Sequence, residues 1–101
     1  MPTLPMSTLV VSYPVSEGTQ FDAEYYVATH IPLVRTCWTP YGLSSAEVLL
    51  PEGDQPWHAA VLLRFESSAA IDAALGGVET PKVLGDVPKF TNIAPVIYRA
   101  A

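Results

Sequence analysis

The sequence predicts an α+β domain of the ferredoxin-like class, in which a four-stranded antiparallel sheet carries two helices on one face. Two observations predict it. Four strand-like segments alternate apolar and polar residues, and helix-start signals separate the first segment from the second and the third from the fourth. No repeat, linker or low-complexity tract divides the 101 residues. We therefore expect one domain over residues 1–101, with residues 1–5 as a flexible N-terminus.

The first strand is predicted over residues 6–14. Leu9, Val11 and Tyr13 recur with a period of two, so these three side chains share one face of the strand. Pro14 ends the segment, because the residue before a proline favours an extended backbone.

Two helices and one further helical turn are predicted from their capping residues. Asp22 can accept the free amide protons of a first helix, which should run to about residues 34–35. A serine at residue 67 or 68 can cap a second helix, which two glycines then end. Thr80-Pro81 is typical of one more helical start.

Two more strands, over residues 42–50 and 57–65, flank a segment dense in proline and glycine and should form a hairpin. The second of them has an apolar set with a period of two: Trp57, Ala59, Val61, Leu63 and Phe65. This pattern places Trp57 on the same face as the other four. His58 is expected on the opposite face, either solvated or within an interface.

The last strand is predicted over residues 93–98. Pro95 inside it favours an edge of the sheet, because proline donates no ladder hydrogen bond. With both helices on one face, the other face is bare, and Val10, Leu49 and Leu62, or their neighbours of opposite parity, would lie there. Pairing with the sheet of a second copy would cover these residues, and a chain that is half hydrophobic favours such self-association.

Composition disfavours several classes of function. The net charge of −5 and the five scattered cations disfavour a nucleic-acid partner. The single cysteine, Cys37, cannot form an internal disulfide, and no spacing of His and Cys indicates a metal site. Because the chain has neither a basic leader nor about 18 consecutive apolar residues, we expect a soluble, cytoplasmic protein without membrane contact.

His30 is the strongest candidate for a working residue. At helical spacing its neighbours include Tyr26 and Val27, so the imidazole lies on or beside an apolar stripe, where burial should lower its pKa. Pro32 lacks the amide proton that the carbonyl group of Ala28 would otherwise accept. A polar group in a dry cleft is typical of a binding pocket, although a lone histidine on an apolar face is also a common core residue.

Acidic and aromatic residues supply the other candidates. Asp86 could orient the imidazole of His30, as carboxylates do in many sites, although an acidic residue at such a position is more often an ordinary turn residue. The segment with Asp86 and Phe90 precedes the last strand and could close one end of the cleft between helices and sheet. Trp57, with Tyr13, could form an aromatic wall suited to a flat ligand.

Two segments resemble the signatures of the EthD family of small bacterial and fungal proteins. The first carries most of a Phe-Asp-x-x-Tyr-x-x-x-His-x-Pro-Leu pattern: Phe21, Asp22, Tyr25, His30, Pro32 and Leu33. In this chain His30 lies one position farther from Tyr25 than in the pattern, and four positions after Tyr26, so either tyrosine could face the cleft. The second segment, residues 85–95, resembles the closing motif of the family.

The resemblance implies a homodimer whose two sheets form an α+β barrel, with a cleft in each subunit for a small hydrophobic or aromatic ligand and no dedicated cofactor. It also implies an oxidoreductase, monooxygenase or polyketide-tailoring role, in which His30 moves a proton and Tyr26 or Tyr25 supports a developing oxyanion. Asp86 completes the candidate catalytic set. Ligand contacts are expected from five side chains: Tyr13, Tyr25, Leu33, Trp57 and Phe90. The alternatives are a binding or accessory protein without chemistry and a haem-degrading enzyme.

Overall fold

The structure, a computed structural model, describes residues 6–100; residue 101 and the expected flexible N-terminus, residues 1–5, lie outside the described part. The strands are β1 (Ser7–Pro14), β2 (Leu43–Leu49), β3 (Trp57–Phe65) and β4 (Val96–Ala100). The α-helices are α1 (Ala23–Tyr25), α2 (Ile31–Trp38), α3 (Ser68–Leu75) and α4 (Thr80–Asp86). A π-helical turn, Tyr26–His30, joins α1 to α2, and short 3-10 turns follow α2 and α4.

The four strands form one antiparallel sheet in the order β2-β3-β1-β4, with the helices on one face. This arrangement confirms the predicted ferredoxin-like class. Leu9 of β1 faces its partner Leu63 of β3, and both are buried in a core that includes Val34 of α2 and Ile71 of α3. The core therefore fills the space between the sheet and the helices, as the period-two pattern of the strands requires.

The first helical segment is longer than predicted. Asp22 caps it, since one carboxylate oxygen accepts the amide proton of Tyr25 at 3.1 Å. The helix continues to Trp38 because the buried stripe that includes Val34 extends to Cys37 and Trp38. Pro32 does not end the helix, since it lies in the first turn of α2, where a missing amide donor is tolerated.

The last strand begins later than predicted. Ser12 of β1 pairs with Val96, the first residue of β4, and Pro95 precedes that pair. β4 does lie at an edge of the sheet, as expected. The missing donor of Pro95 therefore falls outside the ladder and marks the start of the strand.

The predicted placement of Trp57 is wrong, because a β-bulge breaks the alternation of β3. Tyr13 pairs with Ala59 and Pro14 pairs with Trp57, so His58 is an extra residue opposite β1. The His58 ring stacks on Phe21 with centroids 5.8 Å apart, on the side of the first helix. Trp57 points away from the core and is 48% exposed.

The face of the sheet opposite the helices carries apolar side chains, as predicted. Val10 of β1 lies between Leu62 of β3 and Tyr98 of β4 in the strand register. Leu49 and Tyr98 are exposed, and Val10 and Leu62 are partly so. Among residues 6–100, no helix has the length and apolar composition needed to cross a bilayer.

Candidate functional site

A buried histidine–carboxylate pair lies between the first helical segment and α4. His30 ends the π-helical turn, Asp86 ends α4, and Nδ1 of His30 lies 3.0 Å from Oδ2 of Asp86. The two side chains are only 4% and 7% exposed. Because a carboxylate can only accept, Nδ1 carries the proton and Nε2 is left with a free lone pair.

The pKa values of the pair favour a neutral imidazole beside an ionised carboxylate. Burial lowers the pKa of His30, and the hydrogen bond and negative charge of Asp86 offset only part of that effect. Burial alone would raise the pKa of Asp86, but hydrogen bonds from His30 and Tyr25 outweigh it, so the pKa lies below its ordinary value. At neutral pH His30 therefore has the protonation state of a general base.

Tyr25 holds the other oxygen of the carboxylate. Its hydroxyl donates a 2.8 Å hydrogen bond to Oδ1 of Asp86, and that bond, with some burial, raises the pKa of Tyr25. The ammonium group of Lys89 lies 3.8 Å from the same oxygen and is mostly exposed. Both oxygens of Asp86 are thus occupied, and its orientation toward His30 is fixed from two sides.

The π-helical turn explains how Tyr25 and His30 reach one carboxylate. In a regular α-helix two residues five apart point about 140° away from each other. In the wider turn the amide of Ile31 bonds to the carbonyl oxygen of Tyr26, five residues back, so side chains five apart lie on a similar side. The extra residue between Tyr25 and His30, relative to the EthD pattern, is accommodated in this turn.

Tyr26 lies on the other side of the imidazole. Its ring is fully buried and stacks near His30, with centroids 5.7 Å apart and planes 19° from parallel. Within residues 6–100 its hydroxyl has no hydrogen-bond partner. Burial raises the pKa of Tyr26 well above its ordinary value, so the hydroxyl stays protonated and is free to donate.

A narrow cavity of about 60 Å³ lies beside His30, between the helices and the sheet. Its walls are mostly aliphatic side chains of β1, β3, α2 and α4, and two of the lining residues, Leu84 and Ile97, are also exposed to solvent. The lining residues with polar side-chain atoms are Tyr13, Tyr26, His30 and Trp38. The indole nitrogen of Trp38 already donates a hydrogen bond to the hydroxyl of Thr80. No Asp, Glu, Lys or Arg among residues 6–100 lines this cavity.

The structure brings together only part of the residues expected to contact a ligand. Tyr13 lines the cavity, and burial raises its pKa to about 12. Phe90 packs on the imidazole of His30 at 4.6 Å between ring centroids but does not line the cavity. Leu33 is partly buried on the first helical segment outside the lining, and Trp57 lies at the hairpin end of β3, along another groove.

Sequence reasoning missed the wall that α4 and β4 supply. Val83, Leu84 and Val87 line the cavity from α4 and the turn after it, and Ile97 lines it from β4. Because only a short helical turn was predicted at Thr80-Pro81, the apolar side chains of α4 were not assigned to the cavity. The spacing of three and four between those apolar residues was the available signal.

Comparison with known proteins gives structural neighbours. No protein-family model and no curated protein sequence matches the chain. An EthD-like protein of Ralstonia eutropha JMP134 is 28% identical over 94% of this chain and 89% of that one, with a TM-score of 0.82. An EthD-family protein of Bacillus halodurans C-125 is 20% identical, covering 96% and 98% of the two chains, with a TM-score of 0.75.

The resemblance to the EthD family is confirmed. Two more distant neighbours share the EthD-like fold. SnoaB of Streptomyces nogalater, a cofactor-independent oxygenase, is 13% identical over 95% of this chain and 93% of its own, with a TM-score of 0.66. A dimeric ferredoxin-like protein of Jannaschia sp. CCS1 is 17% identical over 96% and 99%, with a TM-score of 0.68. At these identities the likeness establishes the fold and not the reaction.

Proposed function

We propose that this EthD-like chain binds a small apolar or aromatic compound in the cavity between helices and sheet and moves a proton on it, with His30 as the acid–base group. The observation that carries this proposal is the buried His30–Asp86 pair, whose orientation leaves the lone pair of Nε2 free beside an apolar cavity. A neutral imidazole held by a carboxylate is the arrangement that general-base catalysis requires.

The proposed step is the removal of a weakly acidic proton from the bound compound. Nε2 of His30 takes the proton, and the carboxylate of Asp86 stabilises the imidazolium that forms. The electron pair left on the compound moves toward an oxygen, where the hydroxyl of Tyr26 can donate a hydrogen bond. The aliphatic walls exclude water, so this hydrogen bond acts in surroundings of low dielectric constant.

An oxidation would follow from the same step without a protein-bound redox group. The carbanion formed by proton removal is the electron donor and dioxygen is the acceptor: a carbon–oxygen bond forms, and the resulting peroxide anion takes back the proton from Nε2 of His30 to give a hydroperoxide. The fold shared with a cofactor-independent oxygenase supports such a role for the EthD-like chain, as does the family resemblance. Proton transfer is the part of that chemistry for which this chain's own residues can be tested.

We also propose that the chain acts as a homodimer of single-domain subunits spanning residues 1–101. The apolar face opposite the helices supports this, because Val10, Leu62 and Tyr98 adjoin one another there without a covering element among residues 6–100. Two solved proteins with this fold are dimeric. Pairing of the open faces would bury these side chains, and the cavity of each subunit lies on the opposite face of its sheet.

The test is the exchange of α-hydrogens of cyclopentanone for deuterium in D₂O, followed by NMR. We expect the wild-type protein to accelerate exchange and His30→Gln to lose about 10²-fold or more of that acceleration. Because the pKa of His30 lies below its ordinary value, the rate should rise with pH in the acidic range and level off before neutrality. His58→Gln, which removes the other histidine, is the control and should keep the wild-type rate.

Equal exchange in wild type and His30→Gln would contradict the proposed proton transfer. A binding protein without chemistry is the second candidate, and the small volume of the cavity favours it, since about 60 Å³ leaves little room for a substrate to rearrange. Saturable binding of cyclopentanone with no accelerated exchange would support this alternative.

A further inference from the structure

We infer that the cavity beside His30 selects an electrically neutral ligand with one oxygen substituent, whose oxygen accepts a hydrogen bond from Tyr26 and whose acidic hydrogen faces Nε2 of His30. This inference rests on the proposed function in that it concerns the same cavity. It goes further by stating which compounds can enter and by making the Tyr26 hydroxyl the source of their binding selectivity before any reaction.

The first argument is the unpaired hydroxyl of Tyr26. It is buried, yet it finds no hydrogen-bond partner within residues 6–100. A buried polar group without a partner destabilises a protein by about 1–3 kcal/mol, so such groups are rare in folded proteins. Tyr26 lines the cavity and its hydroxyl oxygen is fully enclosed, so a ligand oxygen would supply the missing partner once the cavity opens locally toward that hydroxyl.

The second argument is the position of His30. Its ring lies 5.7 Å from that of Tyr26 and nearly parallel to it, and both residues line the cavity. Nδ1 is engaged by Asp86, which leaves Nε2 to accept a hydrogen bond. One small group with an oxygen and an adjacent acidic hydrogen, such as an enolisable ketone or a phenol, can satisfy both residues.

The third argument is the charge of the walls. None of the described residues that line the cavity is a Lys, Arg, Asp or Glu. A carboxylate or an ammonium group would lose its hydration there without gaining a counter-charge, and that loss is prohibitive in an apolar cavity. The ionised carboxylate of Asp86, directly behind the imidazole, further repels an anion. Compounds with a net charge are therefore excluded.

The test compares three probes of similar size: cyclopentanone, its apolar isostere methylenecyclopentane, and the anion cyclopropanecarboxylate. Dissociation constants are measured by NMR titration of the wild-type protein and of Tyr26→Phe. The wild type should bind the ketone about tenfold more tightly than the isostere and should show no saturable binding of the carboxylate. In Tyr26→Phe the preference for the ketone should fall to about twofold or less, because the donor is lost.

A second readout checks that Tyr26→Phe keeps its fold. Since the substitution removes an unpaired buried hydroxyl and little volume, the Tm should be equal to or higher than that of the wild type. Three results would each overturn the inference: equal affinity for ketone and isostere in the wild type, a preference that survives in Tyr26→Phe, or carboxylate binding as tight as ketone binding. Failure of ketone binding at 50 mM, a probe concentration of the order expected for weak small-molecule sites, would also overturn it. The first three results are read from affinities alone, so deuterium exchange in the wild type and His30→Gln still tests the proton transfer separately, whereas absence of ketone binding would remove both proposals.

Discussion

At the scale of single residues, the main feature of this protein is a buried carboxylate, Asp86, that accepts hydrogen bonds from two side chains. Asp86 binds Nδ1 of His30 through one oxygen and the hydroxyl of Tyr25 through the other. An ionised group is costly to bury unless such bonds compensate it. The two hydrogen bonds therefore hold the negative charge of Asp86 beside His30, where it affects the protonation and the orientation of the imidazole.

This pair should make stability depend on pH. The folded pKa of His30 lies below its ordinary value, so between about pH 6.5 and the folded pKa the unfolded chain binds a proton that the folded chain does not. The free energy of unfolding should therefore decrease as pH falls through this range, by at most about 1.4 kcal/mol per pH unit. Urea denaturation at pH 7, 6 and 5 would measure the decrease, and His30→Gln should reduce it.

The control for this experiment is His58→Gln, which leaves the His30–Asp86 pair intact and should keep the decrease seen in the wild type. Identical slopes for wild type and His30→Gln would show that His30 takes up its proton equally in the folded and unfolded states. That result would contradict the neutral, buried imidazole on which the candidate site depends.

The sequence predicted that His30 lies on an apolar stripe but not which contacts its neighbours make. The order of residues showed the apolar stripe around His30. It identified Tyr25 and Tyr26 as candidates but could not decide which of them faces the cleft. Whether Asp86 was a turn residue or the partner of the imidazole depended on a contact across 56 positions of the chain. Local spacing contains no information about a contact at that distance.

At the scale of elements, the π-helical turn is the feature that places the site. It adds one residue to the helical segment between Tyr25 and His30, yet both side chains still reach Asp86. In a regular helix of the family pattern, tyrosine and histidine four residues apart would share a face in the same way. The wider turn thus brings together two side chains that a regular α-helix would point about 140° apart.

Deleting Ala28, which is exposed within the π-helical turn, should restore a regular α-helix and change the free energy of unfolding by no more than about 1 kcal/mol. The matched control is deletion of Thr36, which is exposed within the regular turns of α2. That deletion would rotate the buried side chains of Cys37 and Trp38 away from the core and should unfold the protein. Circular dichroism during thermal unfolding would compare the two variants. Equal loss of structure in both variants would contradict the expectation that one residue of the π-helical turn can be removed without disturbing the buried face of the helix.

Strand and helix starts were predictable because their signals are local. Asp22 caps the first helical segment and Ser67 caps α3, as their positions before apolar periodic segments indicated. The bulge at His58 was not predictable, because it depends on how β3 pairs with β1. One extra residue there reversed the expected faces of Trp57 and His58, although the rest of β3 follows the predicted alternation.

At the scale of the whole molecule, the sheet has two apolar faces but only one layer of helices. One face holds the core and the cavity, and the other presents a row of side chains from three strands in register. In a monomer this second face would be exposed to water, and the exposure of apolar surface to water is unfavourable in free energy. The proposed pairing of two copies would therefore add to the stability of the fold, and it would involve the face of the sheet opposite the cavity.

Leu62→Glu should convert a dimer into a monomer, because the substitution places a charge at the centre of the open face, beside Val10. Burying an unpaired carboxylate costs several kcal/mol, which weakens association by about 10²-fold or more. The control is Val78→Glu, which adds the same charge at a residue that is 82% exposed between α3 and α4 and should remain dimeric. Sedimentation equilibrium at micromolar concentrations would measure both, with circular dichroism to show that Leu62→Glu is folded. A wild-type protein that sediments as a monomer, or a Leu62→Glu variant that remains dimeric, would show that the open face of the sheet is not the surface through which two copies associate.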